Sequence, residues 1–311
     1  MDALPPWMDG VGFTLAEGRA QGLTDARMRR PDALRPFHGI RVIGSSGRID
    51  GGLIDRCSDL IPVLRRDAVF SHATAARLYG MPLPGHLEES LHVLTPGAAP
   101  VRRPGVVGWT RDDALVYRDV VHGIPVTSAA DTWAMLAAMS PNRGGRLSGE
   151  WLVAIGDFLV SGRRRKGGRE PALATLDELT VALARHGSRR GATRLAWALG
   201  RIRCPVDSPQ ETFTRLGLVA FGLPEPVVQP AIMTAEGVRH PDLAYLAERL
   251  LLEYLGDVHR TDRDTWRGDL TRVQLFQDAG YRVMLIGADD ITPDGLPALA
   301  GRVRRALAQA R

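Results

Sequence analysis

The sequence is poor in cysteine, in lysine and in long uncharged runs, and each shortage excludes something. Only Cys57 and Cys204 are present, far apart, so neither a disulfide framework nor a zinc-ligand spacing is available. A reducing, cytoplasmic setting is the expectation. Uncharged stretches such as Thr132 to Asn142 fall well short of the ~20 apolar residues a membrane-spanning helix needs, so no membrane partner is expected. The first residues carry Asp2, Asp9 and the Pro5-Pro6 pair where a secretory signal would place a basic start and an apolar run. Lys166 is the single lysine, so arginine supplies nearly all positive charge, and any chemistry that needs a lysine elsewhere is excluded.

What is present is ordinary for a folded chain: 44% hydrophobic and 24% charged residues over 311 positions. At ~100–200 residues per domain this length predicts two domains, each able to bury a core. The net charge of +5 is unevenly spread: residues 1–205 carry +8 and residues 206–311 carry −3. That division suits a part that holds nucleic acid joined to a part whose carboxylates hold a metal. A composition break at Cys204-Pro205 sets the expected boundary, giving regions 1–205 and 206–311.

Within the front region, residues 11–45 read as helix, Gly22 turn, helix and strand, with Thr24 as a candidate N-cap before Arg27, Arg29 and Arg30. Two readings stand: a winged helix-turn-helix whose second helix is basic, or a helical hairpin that merely exposes its arginines. Residues 60–160 contain a short helix capped by Ser71 and ended by Gly80. Strand candidates follow at Leu91–Leu94, Val106–Thr110, Leu115–Tyr117 and Val120–Val126, together expected to form a small antiparallel sheet, and then two apolar helices. Ser161 to Glu170, SGRRRKGGRE, gathers Arg163, Arg164, Arg165 and Lys166 among glycines. It reads as a basic linker that touches phosphates or as a solvated tether. Helices within 171–203 complete the front region.

In the back region Ser208-Pro-Gln-Glu211 has the form of a capping box with proline at the first helical position. Extended segments follow at Pro226–Met233, Val238–Leu246 and Arg249–Leu255, then a helix from Trp266 to Ala279, a strand at Tyr281–Ile286 and a closing helix. The order αβββαβα predicts an α/β fold on a mixed sheet. Asp242 and Glu253 interrupt otherwise apolar strands, and a buried carboxylate needs a counter-ion or a metal. On successive strands they can converge on Mg²⁺ or Mn²⁺, or each can pair with Arg239 or Arg249. His259, in a polar loop six residues beyond Glu253, can manage protons. Asp269 and Arg272 lie three apart on one helix face.

The text SPQET, GLPEPVVQP, HPDLAY, LLLEYLGDVHR, DLTR and AGYRVMLIGADDI resembles the domain of unknown function 559, related to the very-short-patch repair endonucleases within the PD-(D/E)xK nuclease superfamily. The resemblance implies a restriction-endonuclease-like fold and metal-dependent cleavage of DNA in defence or repair. It places Asp242 and Glu253 at the metal, His259 as the following histidine, and Glu211 on the first helix facing the site. Three departures accompany it: Leu255 stands where relatives carry an acid, Leu285 where many carry arginine, and no motif lysine follows Glu253. In the front region, VFSHATAARLYGMPLP and IPVTSAADTWAMLA are similar to the AbiEi-type antitoxins, which carry a winged helix-turn-helix and bind promoter DNA. That similarity implies DNA contact by Arg27, Arg29 and Arg30 and leaves room for a toxin partner. Two functions are therefore expected in competition: a Mg²⁺-dependent endonuclease, and a non-catalytic DNA-binding regulator or antitoxin on a nuclease-like scaffold. The sequence is silent on oligomeric state.

Overall fold

The structure is a computed structural model describing residues 4–44, 52–87, 89–165, 168–255 and 263–309; for 263–270 the backbone course alone is described. Lys166 and His259 lie outside the described residues. The chain is α+β, and its contacts divide it into two compact units that are not contiguous in sequence. The first comprises residues 1–147 with 178–192, and the second 148–177 with 193–311. This division differs from the composition break at 205, because the Gly149–Ser161 helix is tied to the Pro209–Ala220 helix by a buried ion pair, Asp157 with Arg215 at 3.0 Å. Among the described residues no helix is long and apolar enough to cross a membrane.

In the first unit, Thr14 caps the Leu15–Ala20 helix reciprocally with Glu17, as a Thr-x-x-Glu sequence favours. The expected second, basic helix is a single 3₁₀ turn, Arg27–Arg29. Thr24 does bond the Arg27 N–H at 3.1 Å, but Pro31 denies the segment another turn. Phe13–Thr14, Ile40–Ile43 and Ala33–Leu34 form a three-stranded antiparallel sheet over Met8, Leu23 and Met28.

The larger sheet of this unit has six strands and is mixed, not antiparallel as expected. Its spatial order is Arg102–Arg103, Val106–Arg111, Leu91–Pro96, Val69–Phe70, Ile124–Thr127 and Arg118–Val121. Two turn signals lie between Leu91–Pro96 and Val106–Arg111, so the chain reverses twice, through the edge strand Arg102–Arg103, and the two longer strands run parallel. Gly108 permits this packing, because a Cβ there would meet the Val101 carbonyl oxygen at 2.1 Å. The Ala129–Leu136 helix is buried throughout, with Trp133 fully enclosed.

In the second unit the central sheet orders Val227–Val228, Leu243–Tyr245, Leu250–Tyr254 and Arg282–Ile286, the last pair parallel and the others antiparallel. The first two expected extended segments are each broken. Gln229 takes a positive φ of 42°, and Pro230 and Pro241 cannot donate to a ladder. A separate hairpin, Ile232–Thr234 with Gly237–Arg239, therefore leaves the sheet. Side chains alternate along the sheet: Leu243, Tyr245, Leu250 and Leu252 enter one apolar cluster with Leu218 and Leu299. Ala244 and Leu251 enter the other with Ile232 and Phe276.

Candidate functional site

The alternation fixes where the two strand carboxylates point. Leu243 stands opposite Leu252, and one further step along this register sets Asp242 across from Glu253. Directly opposed residues share a face, and this one is the Ala244–Leu251 face, covered by the Arg263–Asp278 helix. Asp242 Oδ2 accepts the Tyr254 N–H at 2.8 Å, which ties the two strand ends together. The carboxylates thus meet on one side, the condition a shared cation requires.

Arg272 reaches this face from the helix, one turn before Phe276. Its Nε donates to Glu253 Oε2 at 3.1 Å and its Nη2 to Oε1 at 3.4 Å and to the His240 carbonyl. Glu253 therefore pairs with Arg272 rather than with the neighbouring arginines of its own strands. Arg239 pairs with Glu236 at 3.2 Å, and the Arg249 guanidinium lies 5.5 Å from the Tyr281 ring centre. Nothing is described of the Asp269 side chain; its backbone lies in the same helix.

Glu211 joins from the N-terminus of the Pro209–Ala220 helix. Ser208 caps that helix through the Glu211 N–H at 3.3 Å, and Glu211 in turn accepts from Ser208 Oγ at 2.9 Å and from the Asp207 N–H at 3.2 Å. The cap accounts for its place in the fold, and a third bond, from Gln229 Nε2 at 3.0 Å, turns it toward the sheet. Glu211 and Glu253 are both more than nine-tenths buried. Asp242 keeps some surface but is densely surrounded, and the three acids feel one another. Burial, then the charge of Asp242, pushes Glu211 up to about 8 and Glu253 up to about 7. Burial also raises Asp242, against the Tyr254 N–H and Arg272, which favour its charged form.

The basic segment 161–170 lies beside these acids. Among its described residues Arg164–Arg165 pairs antiparallel with Gly168–Arg169. Arg164 donates to Asp207 at 2.8 Å, and Arg169 to Asp207 and to Gln229 at 3.3 Å. Against the penalty of burial, the Arg164 bond and the Arg169 charge hold Asp207 below the usual carboxylate range. Arg165 pairs with Glu170, and Arg163 lies over Phe158 at 5.9 Å. A recess of about 340 Å³ is lined by Arg164, Arg165, Arg169, Gln229 and His240. Asp207, Arg169, Gln229 and His240 were not singled out by sequence. Gln229 had a readable signal, a polar residue between an apolar pair and a proline.

The front-unit arginines are placed differently. Arg27 is nine-tenths buried and its guanidinium is held by Asp32 at 2.9 Å, so it offers little to a ligand. Arg29 and Arg30 are exposed. No protein-family model and no curated protein matches the chain.

Proposed function

We propose that the second unit is a Mg²⁺-dependent DNA endonuclease of the very-short-patch-repair type, with the first unit contributing further DNA contacts. The observation that carries this reading is the meeting of Asp242 and Glu253 on one sheet face, with Arg164 and Arg169 brought alongside through Asp207. Carboxylates and guanidinium groups side by side suit a phosphodiester backbone and the cation that accompanies it.

The donor set fits a hard divalent ion. Among the described residues no three acidic, thiol or imidazole groups form a metal cage. The fitting arrangement is a cation taking Asp242 and Glu253 and completing its shell with water and substrate phosphate, as Mg²⁺ commonly does. When bound, it would polarise the phosphate and favour ionisation of water. Arg164 and Arg169 orient the backbone, Arg272 neutralises Glu253 before substrate arrives, and Glu211, with a proton affinity near neutrality, can take a proton on its carboxylate. His259 is the second proton carrier in this proposal.

A second reading, a non-catalytic DNA-binding regulator or antitoxin acting with a toxin partner, is favoured by one feature: the Arg272 fork occupies both Glu253 oxygens. Leu255 and Leu285 also leave the strand ends without added polarity. Cleavage of supercoiled plasmid and single-stranded DNA with Mg²⁺ or Mn²⁺, comparing wild type with Glu253→Gln at matched DNA binding, separates the two. Nicking by wild type alone is the expected result. DNA binding with no metal-dependent cleavage by either protein would select the regulator.

A further inference from the structure

The first unit contains a cationic cavity that the reading above does not use. It measures about 230 Å³. Its walls come from the Val106–Arg111 strand, the loop carrying Ser140 and Arg143, the end of the Leu176–His186 helix and the turn after it. One wall is aromatic. His72 stacks on Trp109 with ring centres 3.8 Å apart, the Arg143 guanidinium lies 3.8 Å from the same ring, and Trp109 Nε1 donates to His92 Nδ1 at 3.1 Å. His72 itself is held at a positive φ of 48°, a conformation non-glycine residues keep only when their surroundings enforce it.

Four guanidinium groups line the cavity, from Arg111, Arg143, Arg189 and Arg190, and among the described residues no carboxylate does. The nearby acid, Asp131, is fully buried and already taken by Arg185 at 2.8 Å. Arg111 is more than nine-tenths buried, and among the described residues its Nε has no hydrogen-bond partner. Burial and the charge of Arg189 lower its proton affinity. Clustered cations with an unmet buried donor are costly to keep, and an anion in the cavity would relieve both costs.

His186 narrows the class of anion. Its Nε2 lies 3.1 Å from the Arg190 carbonyl oxygen, which can only accept, so that nitrogen carries the proton. Burial keeps the ring below its ordinary proton affinity. Nδ1 therefore carries a lone pair, and it too is buried without a partner among the described residues. A ligand that satisfied both unmet atoms would accept from a guanidinium group and also donate an O–H. A carboxylate or sulfate cannot do both at neutral pH. A phosphate monoester can in its singly protonated form, a minor fraction at pH 7 because its second ionisation falls near pH 6.

We propose that this cavity binds the terminal phosphate of a phosphate monoester, carried by a small metabolite or by the 5′ end of a nucleic-acid strand. The test is calorimetric titration of the full chain at pH 7 with inorganic phosphate, sulfate, ribose 5-phosphate, and one short oligonucleotide with and without a 5′-phosphate. Phosphate and at least one monoester should bind saturably, with sulfate about tenfold weaker or worse, the scale of one lost hydrogen bond to a charged group. Arg111→Gln should weaken binding by at least about tenfold on the same scale. Because Arg111 is buried, the exposed Arg189→Glu serves as the second variant, with the same expected loss; Arg189 also donates to the Arg185 and His186 carbonyl oxygens at 3.0 and 2.8 Å, so binding is read well below the melting midpoint of each chain. Preference for the 5′-phosphorylated oligonucleotide over its hydroxyl twin assigns strand ends. Binding of ribose 5-phosphate with no such preference assigns a small molecule. No saturable binding of any phosphorylated probe, sulfate binding equal to phosphate, or binding undiminished by Arg189→Glu would each overturn the proposal.

Discussion

The two units should respond to pH with opposite signs. In the second, Glu211, Asp242 and Glu253 hold protons more tightly folded than unfolded. The folded state therefore binds excess protons between the ordinary carboxyl range and about pH 8, and stability falls as pH rises through that window. The acids interact, so the cluster is credited with one shared excess proton. At about 1.4 kcal/mol per pH unit for one proton, about 3 kcal/mol is lost from about pH 5 to about pH 7. In the first unit His72, His92 and His186 are buried and held below their ordinary affinity, His92 down to about 4. Their contribution is present above about pH 6.5 and is lost on acidification through the folded values, so this unit gains as pH rises to about 6.5 and is flat beyond it.

A melting midpoint would partly average the two trends. Hydrogen exchange read by mass spectrometry, in chelator and corrected for intrinsic rates, separates peptides of 209–254 from those of 69–136. The decisive variant is Glu211→Gln. Its amide can place oxygen where Gln229 and the Asp207 N–H donate, and NH₂ where Ser208 Oγ accepts, so the bonds survive and the charge goes. The slope of the second unit should flatten while that of the first is untouched. Protection in 209–254 that rises or holds steady with pH, or an unaltered slope in Glu211→Gln, would refute the argument.

Three other outcomes follow from the geometry. Asp157 accepts from the Arg203 N–H, Thr212 and Arg215, all buried or partly buried. Asp157→Ala should cost about 3–5 kcal/mol in urea unfolding, whereas Asp157→Leu with Arg215→Met should cost much less. Gly162 has φ 70°, and a Cβ there would meet the Glu170 carbonyl oxygen at 2.1 Å. Gly162→Ala should displace the Arg164–Arg169 turn and weaken DNA binding, read by fluorescence anisotropy, with little change in the first unit. Cys57 is buried, its thiol pushed up to about 12 by burial, while Cys204 is exposed; Ellman's reagent should titrate Cys204 in the native chain and Cys57 only on unfolding.

Local chemistry made much of the second unit readable. Ser208, Pro209 and Glu211 marked a helix start that the structure keeps, Gly280 marked a helix end, and the short turn between apolar strands set Asp242 against Glu253. Less readable were features made by partners distant in sequence. Arg27 looks available until Asp32 and burial are seen. The basic segment looks like a tether until Asp207, some forty residues on, orders it. The six-stranded sheet looks antiparallel because turn residues announce reversals without saying that two in succession restore the direction. The cationic cavity leaves no mark in the sequence because Arg111, Arg143, and His186 with Arg190 are drawn from three separate stretches and share no motif.

During synthesis the first unit cannot close when its last strand leaves the ribosome. Asp131, fully buried in the finished fold, receives its arginine from a residue 54 positions later. At about 5–20 residues per second that wait lasts about 3 to 11 s. Until then the Asp131 carboxylate has only Ser128 Oγ, at 2.9 Å, at the head of an apolar helix, and the Ser148–Asp177 segment is already being released ahead of the helices it will pack against. The nascent chain thus passes through an interval with two incomplete cores, in which its apolar surface is most exposed.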